Sequence, residues 1–176
     1  LDSVTITNTA IEGSGGPAFH VSGGNADIGY VATSTGVDPS FGRIINSSAA
    51  AVLVENTTGG TINMTGSTID DTGGTGIVIQ NSAGNATIDN ALIVDSTATG
   101  ISVLNSSGTY FFRDTIRDAT TITNATGASV LIDGLQSTGR VNFENLDIIS
   151  PQGGGIDIDN LEGVFSLARD LTIGQA

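Results

Sequence analysis

The sequence predicts an all-β fold, a single-chain right-handed parallel β-helix of about six coils with roughly 24–29 residues in each coil. Two repeats of short strands that run in phase, together with the lack of any long stretch of helical periodicity, lead to this prediction. The right hand follows from the general rule for parallel crossover connections. Residues 1–176 are expected to form one β-helix domain that is a section of a longer solenoid.

The first repeat is a short apolar strand that ends at Asn or Gly. It occurs at 18–23, 51–56, 76–81, 100–105, 129–134 and 155–160. The last residues of successive copies are 33, 25, 24, 29 and 26 residues apart. A strand-borne period in the twenties is typical of a solenoid. Asn and Gly suit the end of each copy because both tolerate the positive φ that a tight corner needs.

The second repeat follows the first and alternates apolar with polar residues, as a half-buried strand does. It occurs at 4–8, 62–66, 86–90, 110–114, 141–145 and 165–169. A shorter apolar piece comes next, at 68–69, 92–94, 115–116, 148–149 and 171–173. Three short strands in each period of about 25 residues describe one coil of a parallel β-helix.

The alternation within the first repeat separates inward from outward positions. The inward positions are predicted to form two core columns: Phe19, Val52, Ile77, Ile101, Val130 and Ile156, and Val21, Val54, Ile79, Val103, Ile132 and Ile158. On the outward side, Leu53, Val78, Leu104 and Leu131 are more apolar than a plain solvent-facing surface. We therefore expect these four residues to be covered by a loop or a partner chain, or to form a flat adhesive surface.

Three aspartates gather on the outward side of the last two copies. Asp157 and Asp159 are two residues apart on one strand, and Asp133 is expected beside Asp159, one coil away. Three carboxylates this close can hold Ca²⁺, can supply the acid–base pair of a glycoside hydrolase, or can simply form a solvated acidic edge. His20 is expected about 24 Å from Asp157, at five coils of about 4.8 Å, which is too far for an acid–base partnership.

Two steps are longer than the period and predict loops near 32–43 and 118–127. Insertions in solenoids go to loops, often on the binding face, although neutral drift explains them equally well.

The composition excludes several classes of function. The formal net charge is −13 and Lys is absent, so no nucleic-acid partner is expected. No apolar run is long enough to span a bilayer, so no membrane insertion is expected. Cys is absent, and the chain has no phosphate-binding loop, dinucleotide fingerprint or nucleophile elbow. We therefore expect no cofactor except possible Ca²⁺.

The chain begins inside a copy of the second repeat and stops just after a copy of the third piece. Open solenoid ends carry apolar residues and unpaired strand edges. The sequence thus predicts either further coils or end-to-end self-association of copies.

The repeated pattern Gly-Ile-Val-Ile-Gln-Asn at 76–81 and Thr-Ile-Asp-Asn-Ala-Leu-Ile at 87–93 resembles the right-handed parallel β-helix proteins. That superfamily includes pectate lyases, polygalacturonases and the passenger domains of bacterial autotransporter adhesins. The resemblance covers nearly the whole chain and implies the fold rather than one function.

The catalytic patterns of the enzyme branches are incomplete in this chain. Polygalacturonase-like enzymes carry the motifs Asn-Thr-Asp, Asp-Asp and Gly-His-Gly on neighbouring coils. In this chain Ala10 follows Asn-Thr, the Asp-Asp pair at 70–71 stands alone, and His20 lies between Phe and Val. A pectate-lyase-like site needs calcium-binding acids with a nearby Arg, and the residues that come nearest to this pattern are Asp133, Asp157, Asp159 and Arg140. The adhesin branch needs no catalytic residues.

The resemblance therefore favours a structural or adhesive β-helix segment, a stalk or adhesin passenger, of a secreted or cell-surface protein that contacts polysaccharide or a host or cell surface. An enzyme is less favoured. The alternatives are a polysaccharide lyase or glycoside hydrolase, and a self-assembling filament unit.

Overall fold

The computed structural model describes residues 3–32, 42–114 and 119–174, and every regular element in these ranges is a β-strand. In chain order the strands are β1 (Ser3–Thr7), β2 (Ile11–Glu12), β3 (Phe19–Ser22), β4 (Asp27–Val31), β5 (Arg43–Ile45), β6 (Val52–Glu55), β7 (Thr61–Thr65), β8 (Thr68–Asp70), β9 (Ile77–Gln80), β10 (Asn85–Asp89), β11 (Leu92–Val94), β12 (Ile101–Leu104), β13 (Thr109–Arg113), β14 (Thr120–Thr123), β15 (Val130–Asp133), β16 (Arg140–Phe143), β17 (Leu146–Ile149), β18 (Ile156–Asp159), β19 (Val164–Leu167) and β20 (Leu171–Gly174). In the described part of the chain there is accordingly no helix long and apolar enough to cross a membrane.

Each strand pairs in parallel with the strand three places later in the chain, which produces three parallel sheets. Sheet 1 runs β1-β4-β7-β10-β13-β16-β19, sheet 2 runs β2-β5-β8-β11-β14-β17-β20, and sheet 3 runs β3-β6-β9-β12-β15-β18. One strand from each sheet makes a turn, and about six turns stack. The predicted all-β parallel β-helix is therefore confirmed.

The core lies between the three sheets. Both predicted inward columns of sheet 3 are in register, and their members from β3 to β15 are buried. In β18, Ile156 is only half-buried and Ile158 is 39% exposed, because no described coil covers them. Sheet 1 adds larger side chains to the core, including Phe112 and Phe143, whose rings stack with centroids 4.5 Å apart.

The corners after sheets 2 and 3 use left-handed backbone in each turn, and after sheet 1 it occurs at Asn8, Gly66 and Asn90. After sheet 3 the corner residues are Gly23, Asn56, Asn81, Asn105, Gly134 and Asn160; after sheet 2 they are Gly13, Asn46, Asp71, Asp95, Asn124 and Ser150. Their φ values lie between +47° and +69°. The backbone N–H of most of these corner residues also donates to a carbonyl of the next coil, as from Asn81 to the Leu104 carbonyl at 2.9 Å. The predicted role of Asn and Gly after the first repeat is confirmed.

Four strands were not predicted: β2, β4, β5 and β14, the last of which lies in a predicted loop. The longest coil step, 33 residues, separates β3 from β6 and hides the period around them. In β4 the alternation of Ile28 and Tyr30 was present, but Gly29 between them is a poor strand former. The loop predicted near 32–43 falls mostly on 33–41, outside the described residues, and its last residue, Arg43, begins β5.

The loop predicted near 118–127 is wrong for residues 120–123. These residues form β14, which pairs with both β11 and β17 in sheet 2. The extra length of this coil lies between the end of β13 at Arg113 and the start of β14 at Thr120. The apolar pair at 115–116, predicted as the third strand, lies outside the described residues. In sheet 2 the register partner of Leu92 is Thr121, a residue of the predicted loop.

The corner that leads into sheet 1 places glycines of successive coils against each other. A Cβ on Gly84 would lie 2.5 Å from the carbonyl oxygen of Gly59, one coil away. We expect Gly84→Ala to destabilise the protein by about 1–3 kcal/mol, because two bonded coils would have to separate locally. Thermal unfolding followed by circular dichroism measures the effect. The matched control is Gly15→Ala, since a Cβ there meets nothing within 4 Å; equal melting temperatures for the two variants would contradict the prediction.

Candidate functional site

The outward face of sheet 3 carries two side-chain columns in the register that the sequence predicts. One column is His20, Leu53, Val78, Ser102, Leu131 and Asp157; the other is Ser22, Glu55, Gln80, Leu104, Asp133 and Asp159. All five pairings are parallel and in continuous register, so each column runs unbroken along the face. We call it the sheet 3 face.

The four predicted apolar residues lie in the middle of the sheet 3 face. Leu53, Val78, Leu104 and Leu131 are all half-buried. Leu53 and Val78 are direct partners in adjacent strands, whereas Ser102 separates Val78 from Leu131. Ser102 is only 4% exposed although it points outward, because larger side chains flank it. The four residues therefore form an apolar patch of which only part of each side chain is exposed.

One end of the sheet 3 face holds a hydrogen-bonded trio. His20 Nε2 lies 3.0 Å from Glu55 Oε1, and Gln80 Nε2 donates to Glu55 Oε2 at 2.9 Å. The hydrogen bond from Gln80, followed by the one from His20, lowers the pKa of the Glu55 carboxyl below its usual 4.5. His20 stands five strands from Asp157, so the trio and the aspartates are separate features, as predicted.

The other end of the sheet 3 face holds the predicted aspartates. Asp133 and Asp159 are register partners, and Asp157 lies two residues before Asp159 on β18. Asn160 joins the pair, because its side-chain amide donates to Asp133 Oδ1 and its backbone N–H donates to Asp159 Oδ1, both at 2.8 Å. Arg140 begins β16 in sheet 1 and makes no ion pair with these acids. Calcium at Asp133, Asp157 and Asp159 stays a prediction.

A different trio of aspartates is closer together. Asp70, Asp71 and Asp95 each place a carboxylate oxygen within 4.8 Å of the others, at the corner after sheet 2. Arg43 pairs with Asp70 at 3.4 Å, and the Asn124 amide donates to Asp95 at 2.9 Å. The sequence analysis placed no site at Asp70 and Asp71 and missed Asp95. The signal was the 24-residue spacing of positions 71 and 95, one coil apart.

A polar groove of about 360 Å³ runs beside the sheet 3 face, along the corner into sheet 1. Its lining comes from four coils and includes Thr58, Asn81, Asn105, Ser107 and Gln136. Seven of its eight lining residues carry a hydroxyl or amide side chain, so it can hydrogen-bond a polar ligand without a formal charge. Sequence reasoning missed this groove because its members lie in different turns of the chain.

The Glu55 trio makes stability depend on pH. A lowered pKa means that ionised Glu55 stabilises the fold above its unfolded pKa, and that this contribution is lost as the pH falls through the lowered folded value. We expect Glu55→Gln to unfold at lower temperature than the parent at pH 7, and the difference to shrink as the pH falls below about 4.5. Melting temperatures from pH 7 to pH 3 measure this. Glu12→Gln is the control, because Glu12 is exposed and has no side-chain partner among the described residues. If the difference in melting temperature between Glu55→Gln and the parent does not vary with pH, the linkage is refuted.

Comparison with known proteins gives one match. Neither the curated proteins nor the solved structures contain a significant match to this chain. A family model described as the right handed beta helix region matches residues 43–166, well over half of the chain. The matched range runs from β5 to β19 and so covers most of the stacked coils. The chain therefore belongs to the right-handed β-helix family.

Proposed function

We propose that this chain is a rigid β-helix segment of a secreted or cell-surface protein, a stalk or adhesin passenger whose sheet 3 face makes the adhesive contacts. The observation that carries the proposal is that face itself. It extends through six coils in continuous register, and it combines half-buried apolar residues with polar groups at both ends.

Stiffness follows from how the coils are joined. Every described strand bonds at least one neighbouring coil, and the corner residues add further backbone hydrogen bonds between coils. Six coils at about 4.8 Å give a rod about 30 Å long. Bending such a rod would stretch hydrogen bonds in one of its sheets, so an attached surface keeps its shape.

The sheet 3 face suits contact with a polysaccharide or a cell surface. Leu53, Val78, Leu104 and Leu131 offer apolar contact, and the neighbouring polar groove offers hydroxyl and amide groups. Nucleic acid and anionic membranes are poor partners for a chain of net charge −13. Calcium, held by Asp133, Asp157 and Asp159, is the proposed ion at the acidic end.

A filament unit is a second candidate, and the edge strands of the last described coil are where copies would join. Ile158, Leu171 and Ile173 belong to strands at the open edges of sheets 3 and 2, and Ile158 and Ile173 continue core columns. Ile158 is 39% exposed and Ile173 is 50% exposed. A further coil, from a second copy or from more chain, would bury both.

The adhesive proposal predicts an effect of polar substitution on the sheet 3 face. We expect Val78→Thr with Leu131→Thr to weaken adhesion several-fold, because the apolar contact area is lost while strand propensity is kept. Beads carrying the protein are held on surfaces coated with polysaccharides or with cells, and the detachment force under flow is measured. The matched control is Val94→Thr with Leu92→Thr, which makes the same changes on the outward face of sheet 2.

Two results would count against the adhesive proposal. Equal adhesion of the two double variants would remove the sheet 3 face from the contact. Release of new reducing ends from a polysaccharide, with or without Ca²⁺, that disappears in Asp157→Ala would favour the lyase or hydrolase alternative.

End-to-end association predicts a mass that depends on concentration. For a filament unit, we expect the weight-average mass measured by light scattering to rise with protein concentration. The double variant Ile158→Lys with Ile173→Lys should lower this mass towards 17.6 kDa, because it places charge on the open end. Val78→Lys, on the sheet 3 face, is the control. A monomer mass at all concentrations would remove this candidate.

A further inference from the structure

One large apolar side chain is exposed where the position in the solenoid does not explain it. Among the described residues, the exposed large hydrophobic side chains lie in the first or last coil, with one exception, Phe111 on β13. Phe111 is 42% exposed and lies in the fifth of the seven strands of sheet 1. Its exposure is therefore a property of the lateral surface and not of an open end.

The ring of Phe111 lies in an otherwise polar column on the outward face of sheet 1. In register, the column is Thr5, Gly29, Asn63, Thr87, Phe111, Asn142 and Ser166. Thr87 and Asn142 are the direct neighbours of Phe111, each about 4.8 Å away along the axis. The ring thus has a hydrogen-bonding side chain on each side, at the coil spacing.

A shallow groove of about 320 Å³ lies beside this ring. Its lining includes Phe111, Arg113, Asn142, Glu144 and Ala168, and most of the lining surface is apolar. The volume is at the small end of the range for pockets that hold small molecules. One or two small rings fit such a groove.

The charges around the groove are neutralised within the protein. Arg113 donates to both carboxylate oxygens of Asp89, at 2.9 and 3.1 Å, and Arg169 pairs with Glu144 at 2.9 Å. Asn142 accepts a hydrogen bond from the Ser166 hydroxyl through Oδ1, which leaves its NH₂ group available. The groove therefore offers an apolar ring and neutral hydrogen-bonding groups, with no uncompensated charge for an ionic ligand.

We propose that Phe111, with Thr87 and Asn142, forms a binding site for a neutral saccharide. A pyranose ring has an apolar C–H face, which can stack on the Phe111 ring, and a rim of hydroxyls, which can reach the flanking hydroxyl and amide groups. The paired charges and the net charge of −13 disfavour an acidic sugar. A protein partner requires about 800 Å² on each side, far more than one exposed ring provides.

A saccharide site at Phe111 would specify the class of ligand for the proposed adhesive function, and it rests on that function. The site lies on sheet 1 and not on the sheet 3 face. The two proposals can therefore fail separately. Substitutions at Phe111 test the saccharide site, and substitutions at Val78 and Leu131 test the sheet 3 face.

The test is saturation-transfer-difference NMR with neutral oligosaccharides built from glucose, mannose, galactose or xylose, and with an oligogalacturonate as the acidic comparison. We expect at least one neutral oligosaccharide to receive saturation at its ring C–H protons, and the oligogalacturonate to receive less. Phe111→Thr, which copies the neighbouring Thr87 and keeps strand propensity, should weaken binding about tenfold or more. Phe111→Trp, which retains a flat ring, should preserve binding.

Leu131→Thr is the control on the sheet 3 face and should leave saccharide binding unchanged. Circular dichroism and melting temperature establish that each variant is folded, and Asn142→Ala provides a second variant that should weaken binding without removing the ring. Absence of binding to every neutral oligosaccharide would overturn the proposal. So would binding that survives Phe111→Thr, or binding that Leu131→Thr abolishes.

Discussion

Parallel in-register pairing between successive coils is the constraint on which the rest of this structure depends. Each strand inside a sheet bonds the strand one coil before and the strand one coil after, so its residues are held about 4.8 Å from their counterparts in the next coil. A slip of one residue in any strand would turn its apolar residues from the core to the solvent. The columns of Val and Ile in sheet 3 are one consequence. The positive-φ corners, which recur after sheet 2 and after sheet 3 in each turn, are another.

The same constraint builds the surface. Side-chain contacts join residues one coil apart: Glu55 with Gln80, Asp89 with Arg113, and Asp95 with Asn124. Arg43, Arg113 and Arg169 are each paired with an acid one coil away, whereas the excess of 18 acidic over five basic residues leaves the chain strongly negative. The surfaces to which we assign the proposed contacts are the apolar centre of the sheet 3 face, the polar groove beside it and the Phe111 ring on sheet 1. In this proposal, a partner lies along a face of the solenoid instead of entering a deep pocket.

Strand positions could be predicted from the sequence where the coil period is regular. From 51 to 105 the steps are 25 and 24 residues, and the strands of sheets 1 and 3 lie where the repeats predict them. The prediction failed where the period was disturbed. The 33-residue step hid β4 and β5, and the 29-residue step led to a predicted loop where β14 forms. In both cases the missing information was which residue meets its partner one coil away.

The order of residues along the chain is enough to specify the coil, the core columns and the two outward columns of the sheet 3 face, because alternation within a strand and repetition between strands are local and periodic properties. It could also place Asp133 beside Asp159, since both hold the same position in adjacent copies. The grouping of Asp95 with Asp70 and Asp71, the shielding of Ser102, and the exposure of Phe111 between Thr87 and Asn142 needed the folded coils. These features depend on side-chain packing and corner geometry between different turns, and those distances do not exist until the turns are stacked.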